Sequence, residues 1–148
     1  ERLKLDIYMD EDMENILVPA MSILTFVENA VKHQMKQKET LFILIWVRLQ
    51  REKNQVFLRV QDNGTGFTQE ILTQLRSREN GFVEKEGEGL PEQEHIGIKN
   101  LMQRMKILYG EQASLCFENA DTQGAVITVI LPERRVNVEK TVEERDLK

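Results

Sequence analysis

Thr25-Phe-Val-Glu-Asn-Ala-Val-Lys-His33 decides how the rest of the chain is read. It closes an apolar, helix-compatible run over residues 16–31. Ile23, Phe26, Val27, Ala30 and Val31 recur at helical spacing and give a broad apolar face, whereas Glu28, Asn29, Lys32 and His33 are polar. A turn takes about 3.6 residues, so Asn29, Lys32 and His33 fall along one side. A neutral carbonyl, an ammonium and an imidazole beside an apolar wall suit a metal–polyphosphate ligand that carries a flat base. Charged stripes on amphipathic helices are common, so this helix alone reads equally well as a solvated surface face. The surrounding chain has to discriminate.

The chain has 148 residues, enough for one domain with a substantial core. Its 41% hydrophobic and 30% charged content is that of a soluble globular protein. A net charge of −5 argues against a nucleic-acid surface, since phosphate backbones call for a basic patch. The single cysteine, Cys116, excludes an intrachain disulfide, and within Ala113-Ser-Leu-Cys-Phe117 it is expected as a buried strand thiol. Two histidines and one cysteine cannot supply the usual zinc ligand sets. The longest strongly apolar run, 41–47, is too short to span a bilayer, and no signal-peptide pattern is present. Starting at Glu1, the chain is expected to be an excised piece of a longer protein, and such a piece does not exclude a membrane-bound parent.

Residues 2–9 alternate, with Leu3, Leu5 and Ile7 on one side and Lys4, Asp6 and Tyr8 on the other, which predicts a half-buried strand. A polar connection over 10–14 follows, and Pro19 fits the first turn of a helix ending near Gln34. Leu41-Phe-Ile-Leu-Ile-Trp-Val-Arg-Leu49 is apolar on both faces at first and reads as a central strand. A turn over 51–54 leads to a second alternating strand, 55–61, which makes an antiparallel hairpin. A helix over 68–76 has Thr68 as a plausible N-cap. Residues 77–94, rich in Glu and Gly, read as a long loop of the kind that often forms an active-site lid. Residues 96–109 form a third amphipathic helix closed by Gly110, followed by strands at 113–118 and 125–131 and a stop at Pro132. The order β α β β α, loop, α β β favours an α+β sandwich with a mixed, largely antiparallel sheet and the helices on one face.

Two further elements are candidates for chemistry. Asp62-Asn-Gly-Thr-Gly66 ends a buried strand. Its glycines let a ligand approach the main chain, and its carboxylate suits an exocyclic amine such as adenine N6. By itself it reads equally as a tight turn. Gly97 opens the third helix, where main-chain N–H groups and the helix dipole favour an anion and Lys99 adds a positive charge.

In this order, Val27-Glu-Asn-Ala-Val-Lys-His33, Asp62-Asn-Gly-Thr-Gly66, Gly97-Ile-Lys-Asn-Leu101 and the stretch from Gly124 to Pro132 resemble the sequence boxes of one ATPase superfamily. Gyrase, histidine kinases and mismatch-repair ATPases share it. The chain most resembles the catalytic ATP-binding domain of bacterial sensor histidine kinases of the LytS/YesM-like type. Asn100, Arg104 and Leu108-Tyr109-Gly110 extend that resemblance along the third helix.

The resemblance implies a Bergerat-type two-layer sandwich, with about five strands and three helices on one face. It implies a domain over 1–133, an ATP lid near 77–95 and a charged tail over 134–148. ATP and Mg²⁺ are the implied ligands. Asn29 would be the Mg²⁺ ligand, Lys32 a phosphate contact, and His33 would lie by the base or sugar. Asp62 would read adenine, Gly64 and Gly66 would shape its pocket, and Gly97, Ile98 and Lys99 would hold phosphate. Glu28 either polarises a water or orients its neighbours. The implied partners are a histidine-bearing dimerisation domain of the same, homodimeric parent and a downstream response regulator, with no nucleic acid. The implied location is a cytoplasmic domain of a parent in the bacterial plasma membrane.

The sequence departs from that family at four places: Leu24-Thr25 stands for Gln-Pro, Gln34 and His95 each stand for a glycine, and Ala125 stands for Thr. Thr128 sits at an odd offset from Ala125 and points to the opposite strand face. Gyrase-like members carry a water-activating Glu one turn before the Asn. Thr25 holds that position here, which implies slow ATP hydrolysis. Two other readings remain: a non-catalytic nucleotide-sensing or docking module, and an anti-sigma-type serine kinase on the same fold.

Overall fold

A computed structural model describes residues 3–19, 22–34, 40–79 and 96–136. The elements are β1 (Leu3–Met9), α1 (Ser22–Gln34), β2 (Leu41–Gln50), β3 (Gln55–Asp62), α2 (Gln69–Glu79), α3 (Ile96–Tyr109), β4 (Ser114–Asn119) and β5 (Ala125–Pro132). The sheet runs β1-β2-β3-β5-β4. β1 joins β2 in parallel, and the other three neighbouring pairs are antiparallel. The result is the α+β sandwich that the strand and helix patterns imply.

Period-two alternation builds the buried side of the sheet. Leu41, Ile43, Ile45 and Val47 of β2 share it with Val56, Leu58 and Val60 of β3 and with Ala125, Ile127, Val129 and Leu131 of β5. The helices close over this face with Phe26 and Ala30 of α1, Leu72 and Leu75 of α2, and Ile98, Leu101, Met102 and Met105 of α3, in one continuous cluster. Removing these apolar groups from water is what holds the layers together. The outer face of β2 is apolar as well, and cations shield it. Lys4 Nζ sits 5.4 Å from the Phe42 ring centre, and the Arg59 guanidinium sits 5.7 Å from that of Trp46. Tyr8 stacks on Trp46 with ring centres 6.4 Å apart.

Three local expectations need correction. The apolar run from residue 16 does not begin a helix, since α1 starts at Ser22. Ile16 instead forms an antiparallel bridge with Arg135, Leu17 N donates to Arg134 O (2.7 Å), and Val136 N donates to Asn15 O (2.9 Å). Pro19 explains this, because it disfavours helical geometry in the residue before it. The same ladder gives the start of the expected tail, residues 134–136, a fixed course along the domain. β1 is not half-buried: Leu5, Ile7 and Met9 are 43%, 51% and 61% exposed. β1 is the sheet edge, while α1 packs over β2 and β3 and α2 over β4. Cys116 is exposed, because it alternates with the buried Leu115 and Phe117 and so faces outward.

Thr68 does cap α2, its Oγ1 accepting from Ile71 N at 3.2 Å. The helix takes in residues 77–79 at the start of the expected lid. Residues 80–95, with His95, and the tail from 137 lie outside the described residues. Gly110 ends α3 with φ +58, the left-handed conformation expected of a C-cap glycine.

Candidate functional site

Asp62 is the last residue of β3 and shares the buried, helix-side face with Val56, Leu58 and Val60. Only 7% of it is exposed. Its Oδ1 accepts from Gly64 N at 2.8 Å and from Ala125 N at 3.1 Å. Burial pushes this carboxyl above the usual carboxylate range, and the two backbone N–H groups pull the other way with smaller effect. Both bonds use Oδ1, so among the described residues Oδ2 has no hydrogen bond. One oxygen is thus spent on position while the second is left to accept from a ligand N–H.

The loop after Asp62 is shaped residue by residue. Asn63 turns outward, accepting from Phe42 N (2.9 Å) and donating to Thr40 O (3.4 Å), which fixes the loop to the start of β2. Gly64 folds back onto Asp62. Gly66 has φ +80, where a side chain is strained, and a Cβ there would stand 2.6 Å from Asn119 Oδ1. Phe67 is buried edge-on against Phe117, with ring centres 6.2 Å apart. Asn119 clasps Phe67 through two bonds, Phe67 N to Oδ1 (2.7 Å) and Nδ2 to Phe67 O (2.9 Å). The turn before β5 closes the other side, where Gly124 has φ +107 and lies against the Asp62 backbone.

On α1, Asn29 is 9% exposed, while Glu28 and Lys32 are exposed. Ser22, Thr25 and Asn29 follow one another at i, i+3 and i+7, so a largely enclosed polar stripe runs beside the apolar face. Thr25 meets α3 there, its Cγ2 standing 3.3 Å from where a Cβ on Gly97 would be. The first turn of α3 is therefore set beside the Asn29 stripe. Gly97 is exposed, whereas the Ile98 side chain is 1% exposed in the core, so Ile98 offers a ligand only its main chain. Lys99 is half-buried, and the side chain of His33 lies outside the described residues. Among the described residues no group of three or more His, Cys, Asp or Glu could hold a metal. A cation here would rest on a neutral oxygen such as that of Asn29, completed by ligand oxygens and water. That donor set fits a hard ion such as Mg²⁺ bound with a phosphate.

Asn63 and Asn119, which anchor this loop, are residues that sequence reasoning missed. Asn119 looked like any turn residue, because its partner is 52 positions away.

The described residues thus present a buried carboxylate at the end of a central strand, a glycine-shaped loop and an asparagine-bearing helix beside a second helix start. The chain belongs to the family of histidine kinase-, DNA gyrase B- and HSP90-like ATPases, whose pattern matches residues 20–135. It is 27% identical over 135 residues to the sensor protein LytS of Bacillus subtilis (strain 168), a match covering 91% of this chain and 21% of LytS. The chain thus spans about a fifth of the length of such relatives. The fold resembles the catalytic domain of histidine kinase ThkA (TM-score 0.64, 15% identity, 89% of this chain and 79% of that one). It also resembles full-length ShkA in complex with AMPPNP (TM-score 0.57, 16% identity, 90% of this chain and 26% of that one). Its relatives by sequence are sensor proteins, and its neighbours by fold include histidine kinase catalytic domains.

Proposed function

We propose that this domain binds ATP with Mg²⁺ and presents the γ-phosphate to a histidine of a separate dimerisation domain in a two-component sensor kinase. The observation that carries this reading is Asp62. Its carboxylate is buried, held through Oδ1 by two backbone N–H groups, and left with Oδ2 for an amine such as adenine N6. The AMPPNP bound by the structurally similar ShkA supports the choice of an adenine nucleotide. Asn29 would supply an oxygen to Mg²⁺, Lys32 a charge to phosphate, and Gly97 to Lys99 the main-chain groups of a helix start.

Phosphoryl transfer asks a protein mainly for positioning and charge neutralisation, and both can be provided without an acceptor in this domain. Thr25, in the place of a water-activating acid, is a poor base at neutral pH, so hydrolysis is slow. The γ-phosphate is thereby kept for the acceptor histidine. Transfer then continues to a response regulator. The parent is a homodimer in the plasma membrane, with this domain on the cytoplasmic side. No described helix is long and apolar enough to cross a membrane. The domain is assigned to 1–133 with residues 134–136 laid along it, and the lid to the stretch that follows α2.

The rival reading, a non-catalytic sensing module, rests on His95, which lies outside the described residues, and on Ala125. The Ala125 contribution to Asp62 is a main-chain bond, which any residue there could make. The test is calorimetric titration with ATP, with and without Mg²⁺, beside Asn29→Ala and Asp62→Ala. Mg²⁺-dependent binding lost in both variants is expected. Binding that ignores Mg²⁺ and survives Asn29→Ala would favour the non-catalytic module.

A further inference from the structure

We propose that Asn119 is a positioning residue that sets how strictly the site selects the amino group of adenine. The inference rests on the nucleotide reading above and goes beyond it, because Asn119 is outside every box that carries the family resemblance.

The geometry forms a closed circuit. Asn119 and Ala125 face each other in one rung of the β4–β5 ladder. Ala125 grips one end of the 62–67 loop through its N–H, which donates to Asp62 Oδ1 at 3.1 Å. Asn119 grips the other end through its side chain, bonded to both main-chain groups of Phe67 at 2.7 and 2.9 Å. Both ends of the loop that holds the reading carboxylate are therefore tied to a single rung. Gly66, next to the Phe67 end, also packs close to the Asn119 amide, since a Cβ there would stand 2.6 Å from its Oδ1. An amide that donates and accepts in one plane is what a main-chain N–H and C=O pair requires.

The consequence concerns Asp62 Oδ2. A hydrogen-bonding acceptor discriminates between ligands only while it is held in place. Losing the Asn119 amide removes two of the bonds that hold Phe67 and loosens that end of the loop, so Oδ2 is held less closely, although Phe67 stays packed on Phe117 and Ala125 still holds Oδ1. Loss of position weakens the bond to an amino group. It does not weaken contacts to ribose or phosphate. Asn119 itself is exposed and leaves no core cavity when shortened.

The test compares binding of ATP and of ITP, which carries an oxygen in place of the amino group, each with Mg²⁺, to the whole chain. The parent protein is expected to prefer ATP. Asn119→Ala is expected to shrink that preference by about tenfold, the order of two neutral hydrogen bonds, through weaker ATP binding with ITP binding little changed. Asn119→Asp keeps an acceptor for Phe67 N–H but loses the donor to Phe67 O, and is expected to fall between. A general loss of stability would weaken both nucleotides together and leave the ratio intact. An unchanged ratio in Asn119→Ala, beside a parent that prefers ATP, overturns the inference and leaves the nucleotide reading standing. A parent that binds neither nucleotide, or both alike, overturns that reading and the inference with it. Should Asn119→Ala fail to fold, the ratio in Asn119→Asp decides in the same way.

Discussion

A Cβ placed on Gly124 would stand 1.8 Å from the carbonyl oxygen of Asp62 and 2.6 Å from its carbonyl carbon. The β4–β5 turn and the candidate binding loop therefore touch backbone to backbone. The φ of +107 at Gly124 adds a second reason for glycine there. Residues far apart in sequence are brought together by this contact, and the position of Asp62 depends on it.

Gly124→Ala should destabilise the domain by about 3 kcal/mol or more, because neither backbone can yield without breaking the Ala125–Asp62 bond. Gly110→Ala is the control. It has a positive φ of +58 but nothing within 4 Å of its Cβ, so its cost should stay near 1–2 kcal/mol. Urea denaturation of the two variants separates them, and equal losses would contradict the contact.

Asp62→Asn should reshape the pH dependence of stability. A carboxyl whose folded-state pKa is raised binds its proton more tightly in the folded chain than in the unfolded one. Its stabilising effect is fully present below the ordinary value of 3.8 and is lost as pH rises through the raised value. The amide does not ionise and can still accept from Gly64 N and Ala125 N. The variant should therefore gain stability relative to the parent on going from about pH 4 to neutrality. The same substitution should abolish ATP binding, since the amide NH₂ meets the adenine amine. Melting curves across pH and a titration at pH 7 check the two halves.

Gly97→Ala should separate stability from binding. Its Cβ would lie 3.3 Å from Thr25 Cγ2, a tight contact with a movable methyl, and alanine favours the helix by about 1 kcal/mol over glycine. Stability should stay within about 1 kcal/mol of the parent. ATP affinity should fall, because the methyl stands at the helix start assigned to phosphate. Thermal melting beside calorimetry reads both, and unchanged affinity would remove Gly97 from the site.

Cys116 should react with a water-soluble thiol reagent in the native state. A thiol that reacts only after unfolding would place it in the core.

The sequence was informative where period and composition act locally. The alternation in β2 and β3, the capping Thr68 and Gly110 closing α3 could all be read from neighbouring residues. Part of what escaped it depends on distant partners. Leu5 and Ile7 alternate as a half-buried strand should, but alternation does not say whether a helix lies over that strand. Cys116 was readable, since Ser114, Cys116 and Glu118 share a parity, but the general preference of cysteine for burial outweighed it. Pro19 was a signal that residues 16–18 are extended, and their apolar character obscured it. Asn119 gave no local sign, because its role is defined by Phe67.

The ladder between residues 15–17 and 134–136 has a mechanical meaning. Arg135 also donates to Asp12 O at 2.8 Å, and Arg134 lies 4.6 Å over the Tyr109 ring at the end of α3. Tension applied at Val136 would be shared among β5, the segment that leads to α1 and the last turn of α3. α1 and α3 are the two helices whose contact at Thr25 and Gly97 sets the spacing of the site. A load on this strap would bear on that spacing as well as on the last strand.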